Sequence, residues 1–129
     1  MTVRRIMPDF QVDSEESMKA SSDFYGLLGF REVMNMGWVV TLASPSNPTA
    51  QISFFTEERT APVVPDLSVE VEDVDAVYAQ VMAAGADIVR ELRDEEWGVR
   101  RFFVRDPNGQ VVNVLTHRDQ LPSDQPPSA

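Results

Sequence analysis

The sequence RRFFVRDPNGQVVNVLTH, residues 100–117, predicts a β-hairpin. Two apolar runs flank the motif DPNG at residues 106–109, in which the proline presets the first turn residue and the glycine accommodates a left-handed one. A type I turn followed by a glycine bulge would pair Asp106 with Gln110. The turn chemistry therefore predicts the register of the two strands as well as their existence.

Counting back from this turn sets Phe103 opposite Asn113 and sorts the hairpin side chains onto two faces. One face carries Arg101, Phe103, Val111, Asn113 and Leu115. The other face carries Phe102, Val104, Val112 and Val114. Both faces are largely apolar and need cover, so we expect helices on one side and a second sheet or a ligand cavity on the other.

The first half of the chain predicts a strand, a helix and three further strands. Residues 4–12 alternate in polarity, as in a strand with one solvated side. The two faces of that strand carry Ile6, Phe10 and Val12 on one side and Met7, Asp9 and Gln11 on the other. Residues 13–16 offer helix N-caps, and Gly29 predicts the helix end. The three following strands are predicted at residues 30–36, 38–43 and 50–55.

The same order of elements recurs after a predicted linker at residues 59–65. A strand starts at Asp66, and Asp73 caps a helix that Gly85 ends. A strand at residues 86–92, a polar loop at residues 93–98 and the hairpin complete this half. Residues 118–129 contain three prolines and no apolar pattern, which predicts a flexible tail.

This repetition predicts an α+β fold made of two βαβββ modules, residues 1–58 and 66–117. A module of this size cannot bury both faces of its own sheet, so we expect the two modules to pack together. Ser53 and Asn113 occupy corresponding places in the last strand of each module.

Composition narrows the classes of function. The chain has 129 residues, of which 43% are hydrophobic, and this suits one domain with a core. It has no cysteine, and its net charge of -10 disfavours nucleic acid and anionic membranes as partners. Apolar runs fall short of the roughly 18 residues of a membrane span, and the first residues lack the apolar core of a signal peptide. We therefore expect a cytoplasmic protein.

Four segments together resemble the vicinal oxygen chelate superfamily, which includes glyoxalases, extradiol dioxygenases, fosfomycin-resistance enzymes and bleomycin-binding proteins. They are FYGLLGF at residues 24–30, SVEVEDVDA at 68–76, AGA at 84–86 and FVRDPNG at 103–109. The resemblance covers residues 4–117. It implies that the two modules pair into curved mixed sheets around a cavity, and it suggests a homodimer.

In metal-dependent members of that superfamily, His and Glu side chains from the first and last strand of each module hold a divalent ion. The resemblance implies that the matching positions here are Met7 (or Asp9, if the alignment shifts), Ser53, Asp66 and Asn113. His117, the single histidine, follows Asn113 near the strand end, where we expect an exposed structural role. We therefore expect no metal cofactor; the alternative is one divalent ion, with Asp9, Asp66 and Asn113 as candidate ligands.

Aromatic and polar residues around such a cavity predict a small-molecule site. Trp38 and Trp97 lie beside glycines in corresponding regions of the two modules, where they either pack at a seam or stack on a flat ligand. Nearby acidic side chains would favour a cationic ligand, whereas Arg101 and Arg105, if they point inward, would clamp a carboxylate or phosphate. The predicted ligand-binding residues are Trp38, Ser53, Asp66, Trp97, Phe103 and Asn113.

Three functions stay open at this point. The first is a metal-free protein that binds an aromatic or cationic small molecule, resembling the bleomycin-resistance branch that sequesters drugs. The second is a glyoxalase-type lyase or isomerase, or a dioxygenase, in which Asp66, with Asp9 or Glu70, acts as metal ligand or general base. The third is a non-catalytic interaction module.

Overall fold

Each half of the chain folds in the predicted order, and the α+β fold class is confirmed. The computed structural model describes residues 2–118, so the predicted tail lies outside the described residues except for its first one. The first half contains β1 (Val3–Gln11), α1 (Glu15–Leu27), β2 (Arg31–Asn35), β3 (Val39–Ala43) and β4 (Gln51–Phe55). The second half contains β5 (Leu67–Val71), α2 (Val74–Ala83), β6 (Asp87–Asp94), β7 (Val99–Arg105) and β8 (Val111–His117).

The strands form one open mixed sheet in the order β2-β3-β4-β1-β5-β8-β7-β6. Within each half the first strand pairs in parallel with the last, β1 with β4 and β5 with β8. The two halves join through antiparallel pairing of β1 with β5. The middle of the sheet therefore consists of the first and last strand of each half.

The β7–β8 hairpin has the predicted register. Phe103 lies opposite Asn113, and the backbone N–H of Asp106 donates to the carbonyl of Gln110 at 2.9 Å. Gly109 has a φ of 89°, the left-handed conformation that this turn requires. Local turn chemistry is thus sufficient to align the two strands.

Both helices lie on one face of the sheet, α1 over β2 to β4 and α2 over β6 to β8. The core under α1 consists of Met18, Val40, Leu42, Ile52 and Phe54. The core under α2 consists of Val71, Val74, Phe102, Val104 and Val114. Within the described part of the chain, neither helix is long and apolar enough to cross a membrane. Strand alternation leaves the opposite face of the sheet for the cavity.

One strand boundary is corrected. β6 continues through Asp94, inside the predicted loop, because Asp94 pairs with Arg100 of β7. On β1 the solvated side is the one that carries Ile6 and Phe10, which are 54% and 46% exposed, whereas Asp9 on the other side is 4% exposed. The reason is that the helices cover the outer strands, while β1 lies at the junction of the two halves.

Candidate functional site

A cavity of about 190 Å³ lies on the face of the sheet opposite the helices. Met34 of the edge strand β2 and Trp97, which follows the other edge strand β6, both line it. The sheet therefore bends around the cavity. Four predicted ligand-binding residues line it: Trp38, Ser53, Trp97 and Asn113. Apolar side chains supply much of the remaining wall: Met7, Val33, Met34, Met36, Val39, Phe55 and Leu115.

The other two predicted ligand-binding residues lie outside the cavity lining. Phe103 is fully buried beside the cavity, with its ring centroid 4.8 Å from the guanidinium carbon of Arg101. Asp66 is exposed just before β5, and its carboxylate accepts the backbone N–H of Val111 at 2.8 Å. Asp66 therefore connects the beginnings of β5 and β8.

Strand register decides which polar residues meet at the centre of the sheet. Asp9 of β1 lies opposite Ser53 of β4, and Ser68 of β5 lies opposite Asn113 of β8. By this register the counterpart of Asp9 in the second half is Ser68, two residues beyond Asp66. Strand alternation in the sequence already points Ser68 into the cavity, and the structure places it in the cavity lining, but the predicted ligand-binding set contained Asp66 in its place. What the structure adds is the register, which sets Ser68 opposite Asn113.

Asp9, Ser68 and Asn113 form a buried hydrogen-bonded chain, here called the floor cluster. Ser68 Oγ donates to Asp9 Oδ2 at 2.6 Å, and Asn113 Nδ2 donates to Ser68 Oγ at 3.1 Å. Asp9 Oδ1 and Asn113 Oδ1 are buried and have no hydrogen-bond partner among residues 2–118. Burial raises the pKa of Asp9 to about 7, although the hydrogen bond from Ser68 acts in the opposite direction.

A second buried group, here called the wall cluster, consists of Arg101, Glu58 and Glu95. Arg101 donates to Glu95 Oε2 from Nε at 3.0 Å and pairs with it through Nη2 at 2.7 Å. Arg101 Nη1 lies 3.6 Å from Glu58 Oε2. The guanidinium also lies over the rings of Trp97 and Phe103, at 5.0 and 4.8 Å from their centroids.

Arg101 and Arg105, whose orientation the sequence did not decide, point in different directions. Arg101 is 2% exposed and lines the cavity, but two carboxylates already engage its charge. Arg105 is exposed and pairs with Asp87 at 3.4 Å. An anion clamp made of both side chains is therefore not formed.

His117 lines the cavity at the end of β8 and bonds to a carboxylate. Its Nδ1 lies 3.0 Å from Glu70 Oε2, while Arg5 Nε pairs with Glu70 Oε1 at 2.9 Å. Burial alone would raise the pKa of Glu70, but the His117 hydrogen bond and the Arg5 charge together outweigh it and lower that pKa. Glu70 is therefore ionised, and it holds His117 against β5.

The donor set at the centre of the sheet is poor in metal ligands. It consists of a thioether, two hydroxyls, an amide and one carboxylate, from Met7, Ser53, Ser68, Asn113 and Asp9. Across residues 2–118 no group of three or more His, Cys, Asp or Glu side chains could hold a metal ion. Divalent ions in proteins are usually held by several imidazole, thiolate or carboxylate ligands, so this donor set does not fit one.

Sequence comparison assigns the family. The profile of the Glyoxalase/Bleomycin resistance protein/Dioxygenase superfamily matches residues 15–114. The chain belongs to this superfamily. The matched region extends from α1 into β8 and includes Ser68 and Asn113 of the floor cluster. A search of the curated proteins finds no match.

Solved structures show the same superfamily fold. A superfamily member from Vibrio splendidus 12B01 is 19% identical, with a TM-score of 0.63 over 89% of this chain and 99% of that one. A methylmalonyl-CoA epimerase from Mycobacterium tuberculosis is 19% identical, with a TM-score of 0.59 over 89% and 87%. A Mn(II)-bound glyoxalase from Novosphingobium aromaticivorans is 17% identical, with a TM-score of 0.61 over 88% and 38%. At these identities the likeness extends to the fold and not to an activity.

Proposed function

We propose that this superfamily member binds a small aromatic or largely apolar molecule in the cavity and sequesters it, as in the bleomycin-resistance branch that its sequence resembles. The observation that carries the proposal is the lining itself. Trp38, Trp97 and methionine side chains surround a centre of uncharged polar groups, Ser53, Ser68 and Asn113. Apolar walls with a few placed polar groups are the usual composition of small-molecule sites.

The proposed binding needs no metal and no cofactor. By strand register, the positions that would carry ligands in a metal-dependent relative hold Asp9, Ser53, Ser68 and Asn113, of which only Asp9 is a carboxylate. Asp9 is the single carboxylate of the floor cluster, and its raised pKa disfavours the ionised form that a metal requires. These residues support recognition of an organic ligand rather than coordination.

Acid–base catalysis in a lyase or isomerase is the second candidate. Asp9 favours it, because a buried carboxyl with a pKa of about 7 is suited to proton transfer near neutrality. Asp9 reaches the cavity through Ser68, however, and is not itself a lining residue. We rank this function second for that reason.

Cytoplasmic location, a homodimeric state and a cationic ligand are further proposals.

Tryptophan fluorescence can test the binding function directly, since the chain has two tryptophans and both line the cavity. We would titrate the protein with a panel of aromatic and cationic antibiotics and with simple aromatic amines. A saturable change in emission is expected. It should persist in Trp38→Phe and in Trp97→Phe, because each variant keeps one tryptophan in the cavity, and the two variants should give the same dissociation constant.

A reporter outside the cavity serves as the control. Phe24 is 56% exposed on α1, so Trp38→Phe/Trp97→Phe/Phe24→Trp moves the only tryptophan to the opposite face of the sheet. This variant should give no saturable change. An equal response from it, or no response from the wild-type protein to any compound, would contradict the proposed function.

A further inference from the structure

Methionine side chains are concentrated in the wall of the cavity. The chain has six methionines, and three of them, Met7, Met34 and Met36, line this one cavity. A thioether is soft and polarisable, and its flexible side chain adapts to apolar ligands of irregular shape. A thioether is also open to oxidation, and the chain has no cysteine that would react with an oxidant in its place.

Met34 and Met36, here called the methionine rim, form an accessible edge of the cavity. Met34 lies on the edge strand β2, whose single strand partner within residues 2–118 is β3, and Met36 follows that strand directly. The two residues are 38% and 46% exposed. Met7 lies on β1 in the middle of the sheet, and its sulfur accepts the Ser53 hydroxyl at 3.1 Å. An oxidant from solvent should therefore reach the methionine rim before Met7.

Oxidation of the methionine rim would turn an apolar part of the wall into a polar one. Hydrogen peroxide transfers one oxygen atom to the thioether sulfur; the sulfur is oxidised to a sulfoxide, the peroxide is reduced to water, and the chain stays intact. Water solvates the sulfoxide oxygen, a hydrogen-bond acceptor, while the cavity is empty. An apolar ligand would displace that water and offer no donor in return, so the complex would contain an unsatisfied polar group.

We propose that the methionine rim is an oxidation site that controls ligand binding by the cavity. With both sulfurs reduced, the cavity holds its aromatic, largely apolar ligand, and with a sulfoxide at the rim it releases that ligand. A thiol-dependent methionine sulfoxide reductase reverses the change, because it removes the added oxygen as water while the thiols become a disulfide. The inference rests on the proposed binding function and adds a means of release.

Two other methionines serve as references for the reaction with peroxide. Met82 on α2 is 51% exposed, but α2 lies on the face of the sheet opposite the cavity. Met18 is 4% exposed in the core under α1. Hydrogen peroxide should therefore oxidise the methionine rim and Met82 while it spares Met18. Peptide mapping by mass spectrometry, after stepwise exposure to peroxide, would measure the rate at each position.

The binding test compares one probe before and after oxidation. The probe is 1-naphthylamine, a simple aromatic amine, and its dissociation constant would be measured by calorimetric titration once the peroxide has been removed. Oxidation of the wild-type protein should raise that constant about tenfold, as for one unsatisfied polar group. Treatment with a methionine sulfoxide reductase and dithiothreitol should return the constant to its starting value.

Leucine variants separate the methionine rim from oxidation elsewhere. Met34→Leu/Met36→Leu keeps an apolar rim of similar volume without sulfur, so it should bind the probe with the same affinity before and after peroxide treatment. Met82→Leu is the matched control and should show the same loss of affinity on oxidation as the wild type. Met36→Gln places a polar side chain of similar length at the rim and should weaken binding in the absence of any oxidant.

The results that would overturn the inference differ from the one that would contradict the proposed function. Unchanged affinity in wild-type protein whose rim is mapped as sulfoxide would overturn the inference and leave the proposed function standing. An equal loss of affinity in oxidised Met34→Leu/Met36→Leu would assign the effect to another residue or to unfolding, and would also overturn it. Failure of the unoxidised wild type to bind 1-naphthylamine would contradict the proposed function, and the inference with it.

Discussion

The floor cluster and the wall cluster are both buried and polar, but they differ in how completely their atoms are paired. In the wall cluster, Arg101 is 2% exposed and its positive charge is matched by the carboxylates of Glu58 and Glu95. In the floor cluster, two oxygen atoms are left without partners inside residues 2–118. Buried polar atoms in folded proteins are usually paired. The difference indicates that the wall cluster maintains the shape of the cavity, while the floor cluster keeps two buried oxygen atoms unpaired.

Breaking the wall cluster should cause the largest loss in the free energy of unfolding. Arg101→Met leaves Glu58 without its counter-charge and Glu95 with Arg90 as its remaining partner in the described chain. Loss of one side of a buried ion pair typically costs roughly 3–5 kcal/mol, so the free energy of unfolding measured in urea should fall by that order. Arg105→Met, on the same strand but exposed, should change it by about 0.5 kcal/mol or less. Equal losses would contradict the structural role of the wall cluster.

Ionisation of Asp9 in the floor cluster should have the next largest effect on the free energy of unfolding. The pKa of Asp9 is raised from 3.8 to about 7 in the folded protein, so the folded state holds a proton that the unfolded state releases. This contribution to stability is complete below the unfolded pKa and is lost as the pH rises toward the folded one. Between about pH 5 and about pH 8, Asp9→Asn should therefore gain roughly 2–4 kcal/mol relative to wild type. Parallel urea stabilities for the two proteins across this range would contradict the account.

Removing the Ser68 hydroxyl, at the centre of the floor cluster, should lower the free energy of unfolding by a smaller amount. Ser68→Ala removes the donor to Asp9 Oδ2 and the acceptor of the Asn113 N–H. An unsatisfied buried polar group costs roughly 1–3 kcal/mol, so the unfolding free energy should fall within that range. Ser46→Ala, at an exposed loop position, is the matched control and should have almost no effect. A loss of stability in Ser46→Ala as large as in Ser68→Ala would remove the support for a floor cluster.

Adding metal should have the smallest effect. Because Asp9 is the single carboxylate beside the neutral donors Ser53, Ser68 and Asn113, nickel, zinc or magnesium should leave the melting temperature unchanged. The same scan on Asp9→Asn and Asp66→Asn distinguishes the two carboxylates proposed from the sequence. A wild-type increase in melting temperature that either variant abolishes would favour the lyase or isomerase function over sequestration.

The sequence predicted the parts of the molecule that depend on local chemistry. The turn at residues 106–109 was sufficient to set Phe103 opposite Asn113, and alternation then placed Asn113 on the cavity face. The pairing of β1 with β5 is a contact between the halves, and no local pattern reports its register. Alternation pointed both Asp66 and Ser68 toward the cavity, and the resemblance matched Asp66 to a ligand position, whereas the β5–β8 register sets Ser68 opposite Asn113.

The partners of Arg101 were also beyond sequence reasoning. Glu58 comes from the region next to the linker and Glu95 from the turn after β6, so the wall cluster assembles only when the sheet bends. Trp97 was predicted as a ligand-binding residue, and it lines the cavity, but its ring also covers the Arg101 guanidinium. Its contact with the wall cluster follows from that long-range packing.

The most direct test of the central claim is native mass spectrometry of protein purified without chelator and without nickel affinity resin. We predict a metal-free chain that takes up one small aromatic molecule per cavity when such a compound is added. The same spectrum reports whether the protein is the proposed homodimer. One divalent ion retained per chain would contradict the account and favour a metal-dependent enzyme.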